Sequence, residues 1–349
     1  MENVLPVDKL HHIGVVVKDY RKSALEFSRF FGIERWNIYR RDRTCMSDVT
    51  LHGLPVDHSF ILAHGEKGQI AFQLCQPLDG ESIFSEFLRT WGEGMHHLLP
   101  TSCSPAEFQR LRPWLEGEGV SIAQSAAVGG ALEYYYLDTR PQLGTILEVL
   151  CPRSNNFRAA LEPDEVLTFD QTVTSAGKVP IDNFYHVCVL TRYRRLSVRD
   201  NFQRLLGINR WFDFDNQTGV TSEEAHYFGK SIDSRFRLSL GRRGGLAVEV
   251  VEPVYGPTIY SDMLEKPGQG EGLNHLMTTL CSIGQFQTIR KWLEAQGMPI
   301  VQDGQVRDFC YYCYADCRER LAGLYVELLC PLSDHWLDGR EDVGAILLG

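Results

Sequence analysis

The sequence lacks any apolar run of about 18 residues, the length that a membrane-spanning helix requires. Residues Met1 to Leu10 also lack the apolar core of a secretory signal peptide. Positive charge is scarce, since 35 Lys and Arg residues stand against 45 Asp and Glu residues, for a formal net charge of −10. A nucleic-acid-binding surface would normally be basic. We therefore expect a cytoplasmic protein that binds neither membranes nor nucleic acids. This charge balance does not exclude a local basic pocket for an anionic substrate.

Disulfide bonds are not expected either, although the chain contains ten cysteines. Most of them stand in apolar, strand-like runs, where a cysteine behaves as a small hydrophobic residue. Cys310 and Cys313, with Cys317 nearby, have a spacing that resembles a zinc site. No second pair of Cys or His follows at a suitable distance, so we expect reduced thiols and no structural zinc.

One short pattern does occur four times: an apolar run with a Gln or Glu four residues before a proline. Proline cannot continue a central strand, so each copy is predicted to be a β-strand that stops there. A carboxylate within a buried strand is costly unless a neighbouring group compensates its charge. Four copies therefore indicate a repeated unit with a common reason for the buried oxygen. The polar positions are Gln73, Glu148, Glu249 and Glu327.

The two halves of the chain repeat each other. Gly32 and Gly207 lie in matching stretches 175 residues apart, and His97 and His275 end matching stretches 178 residues apart. Each half contains two units with the predicted order β-α-β-β-β, and such self-similarity outweighs any local prediction. We therefore predict an α+β tandem duplication of four βαβββ units, paired into two domains with open, cupped sheets. The predicted segments are an N-terminal domain (1–153) with a polar connector (79–92), a linker (154–180), a C-terminal domain (181–333) and a C-terminal tail (334–349).

Each predicted unit also opens with a strand that carries a histidine. Two imidazoles with two carbonyl or carboxylate oxygens suit a divalent ion such as Mn, Fe, Co, Ni or Zn, with positions left for substrate oxygens. Taken singly, such a histidine is more typical of a hydrogen-bonded core residue, and such a glutamate can pair with an arginine. Recurrence of the whole set favours a metal in at least one half and leaves open whether both halves bind it. The predicted ligands are His12, Gln73, His97 and Glu148, then His186, Glu249, His275 and Glu327.

These features resemble the vicinal oxygen chelate superfamily, which includes glyoxalase I, methylmalonyl-CoA epimerase, extradiol dioxygenases and hydroxyphenylpyruvate dioxygenase. The resemblance rests on the units, the His-His-Ile-Gly opening at residues 11–14, the Gly-Glu-Gly-Met-His-His stretch at 92–97 and the Leu-Glu-Val-Leu ending at 147–150. It covers about residues 8–153 and 181–333. The N-terminal ligand order is similar to that of methylmalonyl-CoA epimerase, and the C-terminal order to that of glyoxalase I. The resemblance implies that Glu148 and Glu327 are both ligands and catalytic bases.

The resemblance implies a metal-dependent enzyme that chelates a small molecule with a carbonyl or vicinal oxygens. We expect proton transfer through an enolate-like species, as in an epimerase, isomerase or lyase. The second glutamate of the epimerase has no clear equivalent, because alignment puts Ser59 and Arg235 at its position. An Fe(II)-dependent ring-cleaving or 2-oxo-acid dioxygenase that uses His186, His275 and Glu327 is the alternative. A non-catalytic binding or resistance protein is the second alternative.

Four tyrosines on strands next to the last ligand strand of each half complete the candidate set. They either line a substrate pocket, as Ser59 and Arg235 would, or simply pack the sheet. A homodimer is also compatible with the resemblance. The tyrosines are Tyr134, Tyr136, Tyr312 and Tyr314.

Overall fold

Four βαβββ units follow one another in the computed structural model, which describes residues 3–157, 161–174, 184–265 and 270–348. The first unit and the segment after it comprise β1 (His12–Val16), α1 (Tyr20–Phe31), β2 (Arg35–Arg41), β3 (Met46–Leu51), β4 (Leu54–Pro55), β5 (Phe60–Lys67), β6 (Ile70–Pro77) and α2 (Ile83–Trp91). The second unit and the connector after it comprise β7 (Gly94–Ser102), α3 (Pro105–Gly117), β8 (Ser121–Val128), β9 (Leu132–Asp138), α4 (Arg140–Leu143), β10 (Ile146–Pro152), β11 (Glu165–Thr168) and α5 (Gln171–Thr174).

The C-terminal half repeats this order. Its first unit and the helix after it comprise β12 (His186–Leu190), α6 (Arg195–Leu206), β13 (Trp211–Gln217), β14 (Glu224–Tyr227), β15 (Lys230–Ser231), β16 (Arg235–Arg243), β17 (Leu246–Tyr255) and α7 (Ile259–Glu265). Its second unit and the tail comprise β18 (Gly272–Leu280), α8 (Ile283–Ala295), β19 (Ile300–Val306), β20 (Cys310–Asp316), β21 (Tyr325–Pro331) and α9 (Glu341–Leu347).

Each half forms one curved sheet, and the two sheets have the same topology except that β11 adds an edge strand to the first. In the first, β1 pairs antiparallel with β7, and these two strands pair in parallel with the last strands of their own units, β6 and β10. In the second, β12 and β18 take the central places between β17 and β21. The strand orders are β11-β2-β5-β6-β1-β7-β10-β9-β8-β3-β4 and β13-β16-β17-β12-β18-β21-β20-β19-β14-β15. The predicted α+β duplication is confirmed.

Several elements differ from the predicted pattern. The hairpin β3–β4 is inserted between β2 and β5, and β3 pairs with β8 at the opposite edge of the sheet. Residues 79–92, expected to be a polar connector, contain α2, which begins with a capping box between Ser82 and Ser85. The C-terminal tail contains α9. Part of the predicted linker, residues 158–160 and 175–180, lies outside the described residues, and the described part contains β11 and α5.

An apolar layer of helices separates the two sheets. One core cluster joins residues of α1, α3, α6 and α8 with the outward-facing residues of β1, such as Ile13 and Val15. Strand alternation then turns His12 and Gly14 to the opposite, inner face. Contacts between the halves include an ion pair of 2.7 Å between Glu26 and Arg320. The inner faces therefore form two cups that open away from the helical layer.

The cysteines and the helices bear on two of the sequence-based expectations. All ten cysteines are free thiols, nine of them buried. None of the helices within the described ranges is long and apolar enough to cross a membrane.

One glycine in each half makes room for a tryptophan in the sheet. A Cβ on Gly65 would lie 2.6 Å from the ring of Trp36, and a Cβ on Gly241 would lie 2.6 Å from the ring of Trp211. Trp36 is fully buried, so its ring has no free space into which it can move. Close packing of this kind makes an added methyl group destabilising.

We predict that Gly65→Ala lowers the free energy of unfolding by about 1–3 kcal/mol, because the added Cβ overlaps the Trp36 ring. Gly284→Ala in α8 is the matched control, since nothing lies within 4 Å of its Cβ position. The control should stabilise the protein by up to about 1 kcal/mol or leave it unchanged. Urea denaturation followed by circular dichroism measures both values, and equal stabilities of the two variants would contradict this packing.

Candidate metal centres

The predicted N-terminal ligands lie on the inner face of the first sheet. Gly14 pairs with both Gln73 and His97, which places these side chains on one face with His12, two residues before Gly14 on the same strand. Ile146 pairs with His97, so Glu148, two residues later, faces the same side. A Cβ on Gly14 would lie 1.9 Å from the His97 ring, so the absence of a side chain at Gly14 makes room for the His97 imidazole.

Three of these four residues meet at one point. His12 Nε2 lies 2.9 Å from Glu148 Oε2, and His97 Nε2 lies 3.3 Å from the same oxygen. The two Nε2 atoms are 3.3 Å apart. All three residues are at least 95% buried. Gln73 lines the same cavity as His12 and Glu148.

The four predicted C-terminal ligands also converge. His186 Nε2 is 3.0 Å from Glu327 Oε2 and 3.8 Å from Glu249 Oε2. His275 Nε2 is 3.2 Å from both carboxylate oxygens. Ligand-type atoms of the four side chains all lie within 4.8 Å of one another. The duplication thus produces the same convergence twice.

The donor atoms of the C-terminal group fit a divalent cation better than they fit one another. Four buried atoms lack a well-directed hydrogen bond, although they lie within ion-pair distance: Nε2 of His186 and His275, and Oε2 of Glu249 and Glu327. Buried polar atoms are rarely left in this state. Atoms that converge on a common point without pairing have the arrangement that a bound metal requires, and imidazole with carboxylate suits Mn, Fe, Co, Ni or Zn.

The second histidine of each group is oriented by the residue before it. His97 Nδ1 lies 3.0 Å from His96 Nδ1, and His275 Nδ1 lies 3.0 Å from Asn274 Oδ1. With Nε2 free to bind a metal, each Nδ1–H donates to its neighbour, an arrangement common for metal-binding histidines. Burial lowers the pKa of His96 well below its usual value, so His96 is neutral and can accept this bond.

The two groups differ by one carboxylate, and the pKa values reflect this. Burial would raise the pKa of Glu148, but the charges and hydrogen bonds of His12 and His97 lower it to about 2. Burial lowers the pKa of His97. In the C-terminal group burial acts in the same direction on His275, but Cys188, followed by hydrogen bonds to Glu249 and Glu327, raises that pKa well above its usual value. Glu249 at the place of Gln73 gives the C-terminal group one more carboxylate.

A cavity of about 660 Å³ opens from the N-terminal group. Its walls combine the ligands with aromatic and cationic side chains of β2, β5 and β9. They include His12, Gln73, Glu148, Arg35, Tyr39, Arg41, Phe60, His64, Tyr134 and Tyr136. The cavity therefore offers a small molecule both the metal-binding atoms and an apolar, partly cationic surface.

The C-terminal cup is filled at the corresponding place by α9. Leu240 pairs with Glu249 and so shares its inner face, and it packs against Val343, Ile346 and Leu347 of α9. Arg242 holds the end of this helix, donating from Nε to Ile346 O over 2.6 Å and from Nη2 to Leu347 O over 3.0 Å. The helix therefore covers the strands beside the C-terminal ligands.

The structure brings some of the other candidate residues to the cups. Tyr134 and Tyr136 line the N-terminal cavity, and the Tyr136 ring lies 4.9 Å from that of His97. Tyr312 and Tyr314 face the C-terminal cup, and Tyr314 accepts a hydrogen bond of 2.7 Å from Tyr260. In both halves these tyrosines are buried against the histidines or against other aromatic rings.

Ser59 and Arg235 take other positions. Ser59 precedes inward-facing Phe60 and pairs with Asp79 outside the cavity. Arg235 makes a bidentate ion pair with Asp215, at 2.8 and 2.6 Å. Strand alternation explains both placements, because the residue next to an inward-facing one points outward. Neither residue lines the N-terminal cavity, and their role in substrate binding stays a prediction.

Several residues of this cavity were not predicted from the sequence, among them His64 and Arg41. His64 on β5 is directly opposite Gln73, and Arg41 ends β2. The turn at Gly68 and Gln69 joins β5 to β6 and pairs Lys67 with Ile70, which sets the register that aligns His64 with Gln73. Counting residues back along β5 and β6 from this turn pairs His64 with Gln73, and this count could have identified His64 from the sequence.

No family model matches the chain, and no curated protein matches its sequence. Among solved structures, a triple mutant of 4-hydroxymandelate synthase from Streptomyces coelicolor superposes with a TM-score of 0.58 at 13% identity, over 94% of this chain and 93% of that one. The Mn(II)-bound glyoxalase from Novosphingobium aromaticivorans has a TM-score of 0.43 at 12% identity, over 95% of this chain and 84% of that one. Methylmalonyl-CoA epimerase from Mycobacterium tuberculosis has a TM-score of 0.34 at 19% identity, over 46% of this chain and 97% of that one. The fold is the vicinal oxygen chelate fold, as the sequence resemblance implied.

We predict that the purified protein binds two equivalents of a divalent metal and that His12→Ala and His186→Ala each lose one. The exposed His52, which contacts Glu86 at 3.0 Å, supplies the control variant His52→Ala. Metal content by plasma emission spectroscopy, with circular dichroism to verify folding, measures this. Full metal content in a folded His12→Ala variant would exclude the N-terminal centre.

Because the C-terminal group has Glu249 where the N-terminal group has Gln73, we predict that the C-terminal centre binds a metal more tightly than the N-terminal centre. In the His12→Ala background, Glu249→Gln should weaken binding at the C-terminal centre by about tenfold or more, because one ligand charge is lost. In the His186→Ala background, Gln73→Glu should strengthen binding at the N-terminal centre. Competition with a fluorescent chelator gives both dissociation constants. Unchanged constants would show that residues 73 and 249 do not contribute to metal binding.

Proposed function

We propose that this protein is a divalent-metal-dependent enzyme whose active site is the N-terminal cup. It would act on a small molecule with a carbonyl or vicinal oxygens and transfer a proton at the neighbouring carbon, as an epimerase, isomerase or lyase does. The observation that carries the proposal is His64, which stands beside the candidate ligands in the cavity. Glu148 and Glu327, considered as ligands that double as bases, keep only the role of ligands in this proposal.

The position of His64 supports a role as general base. It pairs across the strands with Gln73 and lines the cavity, and its ring centroid lies 6.0 Å from that of His12. Histidine titrates near neutral pH and is the most common general base in enzymes. The equivalent position in the other half is Leu240, directly opposite Glu249 and covered by α9. The N-terminal cup has a titratable side chain at this position and the C-terminal cup has a leucine, which favours the N-terminal cup as the place of proton transfer.

The ligand residues and His64 would have separate tasks. His12, Gln73, His97 and Glu148 would hold the ion, and a bound divalent ion would polarise a substrate carbonyl and acidify the adjacent C–H bond. His64 would remove that proton and return it to the product. Phe60, Leu62 and Leu99 line the same cavity and would exclude water from the reacting carbon.

An Fe(II)-dependent dioxygenase is the second candidate. His12, His97 and Glu148 supply two histidines and one carboxylate, the set typical of non-haem Fe(II) oxygenases. The C-terminal residues first considered for this role are accompanied by Glu249 and lie in the cup that α9 covers. Oxygen chemistry would therefore also take place in the N-terminal cup.

We predict that His64→Gln lowers proton exchange by about 100-fold or more, the usual contribution of a general base, and leaves the metal content unchanged. Proton NMR in D₂O would follow exchange at the carbon next to the carbonyl in 2-oxobutyrate and dihydroxyacetone, with His52→Ala as the control.

Exchange at the wild-type rate in His64→Gln would contradict the role of this residue. Oxygen uptake with catechol and Fe(II), without proton exchange, would favour the dioxygenase. A protein that neither exchanges protons nor binds the neutral chelator acetohydroxamate would contradict both activities.

A further inference from the structure

A buried cation lies in the N-terminal cavity apart from the candidate metal ligands. Arg41 ends β2 and is 9% exposed. Asn37 pairs with His64 and so shares the inner face, and Arg41 follows four residues later on the same face. The adjacent Arg40 points outward, has a side chain that is 53% exposed, and pairs with Asp42 at 2.9 Å.

The Arg41 guanidinium has no carboxylate partner among the residues that the structure describes. Its carbon lies 4.8 Å from the centroid of the Tyr39 ring, and Nη1 donates to Arg40 O over 3.2 Å. A guanidinium carries five N–H donors, so most of them remain for another acceptor. Burying a charge without a partner is costly, and a ligand that supplies the missing anion explains why the cation is retained there.

Arg41 and the metal ligands line one continuous cavity, together with Tyr134. Burial and the charge of Glu148 raise the pKa of Tyr134, whereas the charge of Arg41 opposes this rise, so the tyrosine is within electrostatic reach of both groups. Asn37 pairs with His64, which pairs with the candidate ligand Gln73, so Asn37 marks the level of the ligands on β2. Arg41 is four residues further along this strand, roughly 13 Å between backbone positions. A molecule that reaches both the metal ligands and Arg41 is therefore elongated.

We propose that the N-terminal cavity binds an elongated carboxylate, with its carbonyl end at the metal ligands and its carboxylate on Arg41. The inference rests on the proposed function, because the metal centre holds the carbonyl end. A guanidinium binds a carboxylate through two parallel hydrogen bonds. The single charge of this guanidinium matches one carboxylate group, and Phe60 and Tyr134 add aromatic surface to the same cavity.

A purely structural role for Arg41 makes a different prediction. If the guanidinium only packs on Tyr39, its loss changes stability but does not change which ligands the cavity prefers. Two chelating probes of equal length separate these roles: suberic acid monohydroxamate, which ends in a carboxylate, and octanohydroxamate, which ends in a methyl group. The Co(II)-loaded full-length protein would be titrated with each probe by calorimetry.

The ratio of the two affinities should fall by about tenfold or more from wild type to Arg41→Gln, the usual effect of losing a charge-assisted pair. Octanohydroxamate should bind both proteins equally, and Arg40→Gln should behave as wild type. Arg41→Lys keeps the charge and should keep part of the preference, so the test remains decisive if Arg41→Gln folds poorly.

The possible failures are distinguishable. An affinity ratio that is the same in wild type, Arg41→Gln and Arg41→Lys overturns the carboxylate site but leaves the proposed function intact, because octanohydroxamate still binds. Binding of neither probe to the metal-loaded wild type contradicts the proposed function itself. An equal fall in both affinities on loss of Arg41 assigns this residue a structural role and also overturns the inference.

Discussion

Burial of Glu148 and Glu327 among histidines is the constraint on which the rest of the structure depends. Each carboxylate is 4% exposed, and an isolated charge at that depth would be prohibitively costly. Two imidazoles from two different strands compensate each carboxylate, within 3.3 Å. The antiparallel pairing of β1 with β7, and of β12 with β18, brings these histidines together. Neither unit of a half can therefore complete a centre alone.

The halves have kept this convergence and changed what surrounds it. Gln73 in the N-terminal half corresponds to Glu249 in the C-terminal half, and His64 corresponds to Leu240. The N-terminal cup therefore has one carboxylate fewer among the candidate ligands and a titratable group beside them. Its cavity remains open to a small molecule, whereas α9 fills the corresponding part of the C-terminal cup. These differences are the reason for proposing that substrate chemistry takes place in the N-terminal cup and that the C-terminal residues hold a metal without acting on a substrate.

The sequence was sufficient to predict the parts that repeat. Four Pro-terminated strands and four histidine strands identified the groups that converge, because a buried carboxylate needs a local partner. Helices outside the repeated ligand strands were missed: α2, which has α7 as its counterpart in the other half, has a short amphipathic pattern among polar residues, and α9 acquires its role only by packing against Leu240. His64 was missed for a different reason. Alignment with the second glutamate of the epimerase selected Ser59, five residues before His64, whereas the turn at Gly68 sets the register of β5, and an odd offset along a strand moves a side chain to the opposite face.

Anomalous diffraction at the zinc edge, from crystals grown with zinc, directly tests whether His12, His97 and Glu148 form a metal centre that opens into a substrate cavity. If they do, we expect a peak in the N-terminal cup at about 2.0–2.2 Å from Nε2 of both histidines and from a carboxylate oxygen of Glu148. A second peak is expected among His186, Glu249, His275 and Glu327. A well-ordered N-terminal cup without any anomalous peak, in crystals whose C-terminal centre is occupied, would contradict the account.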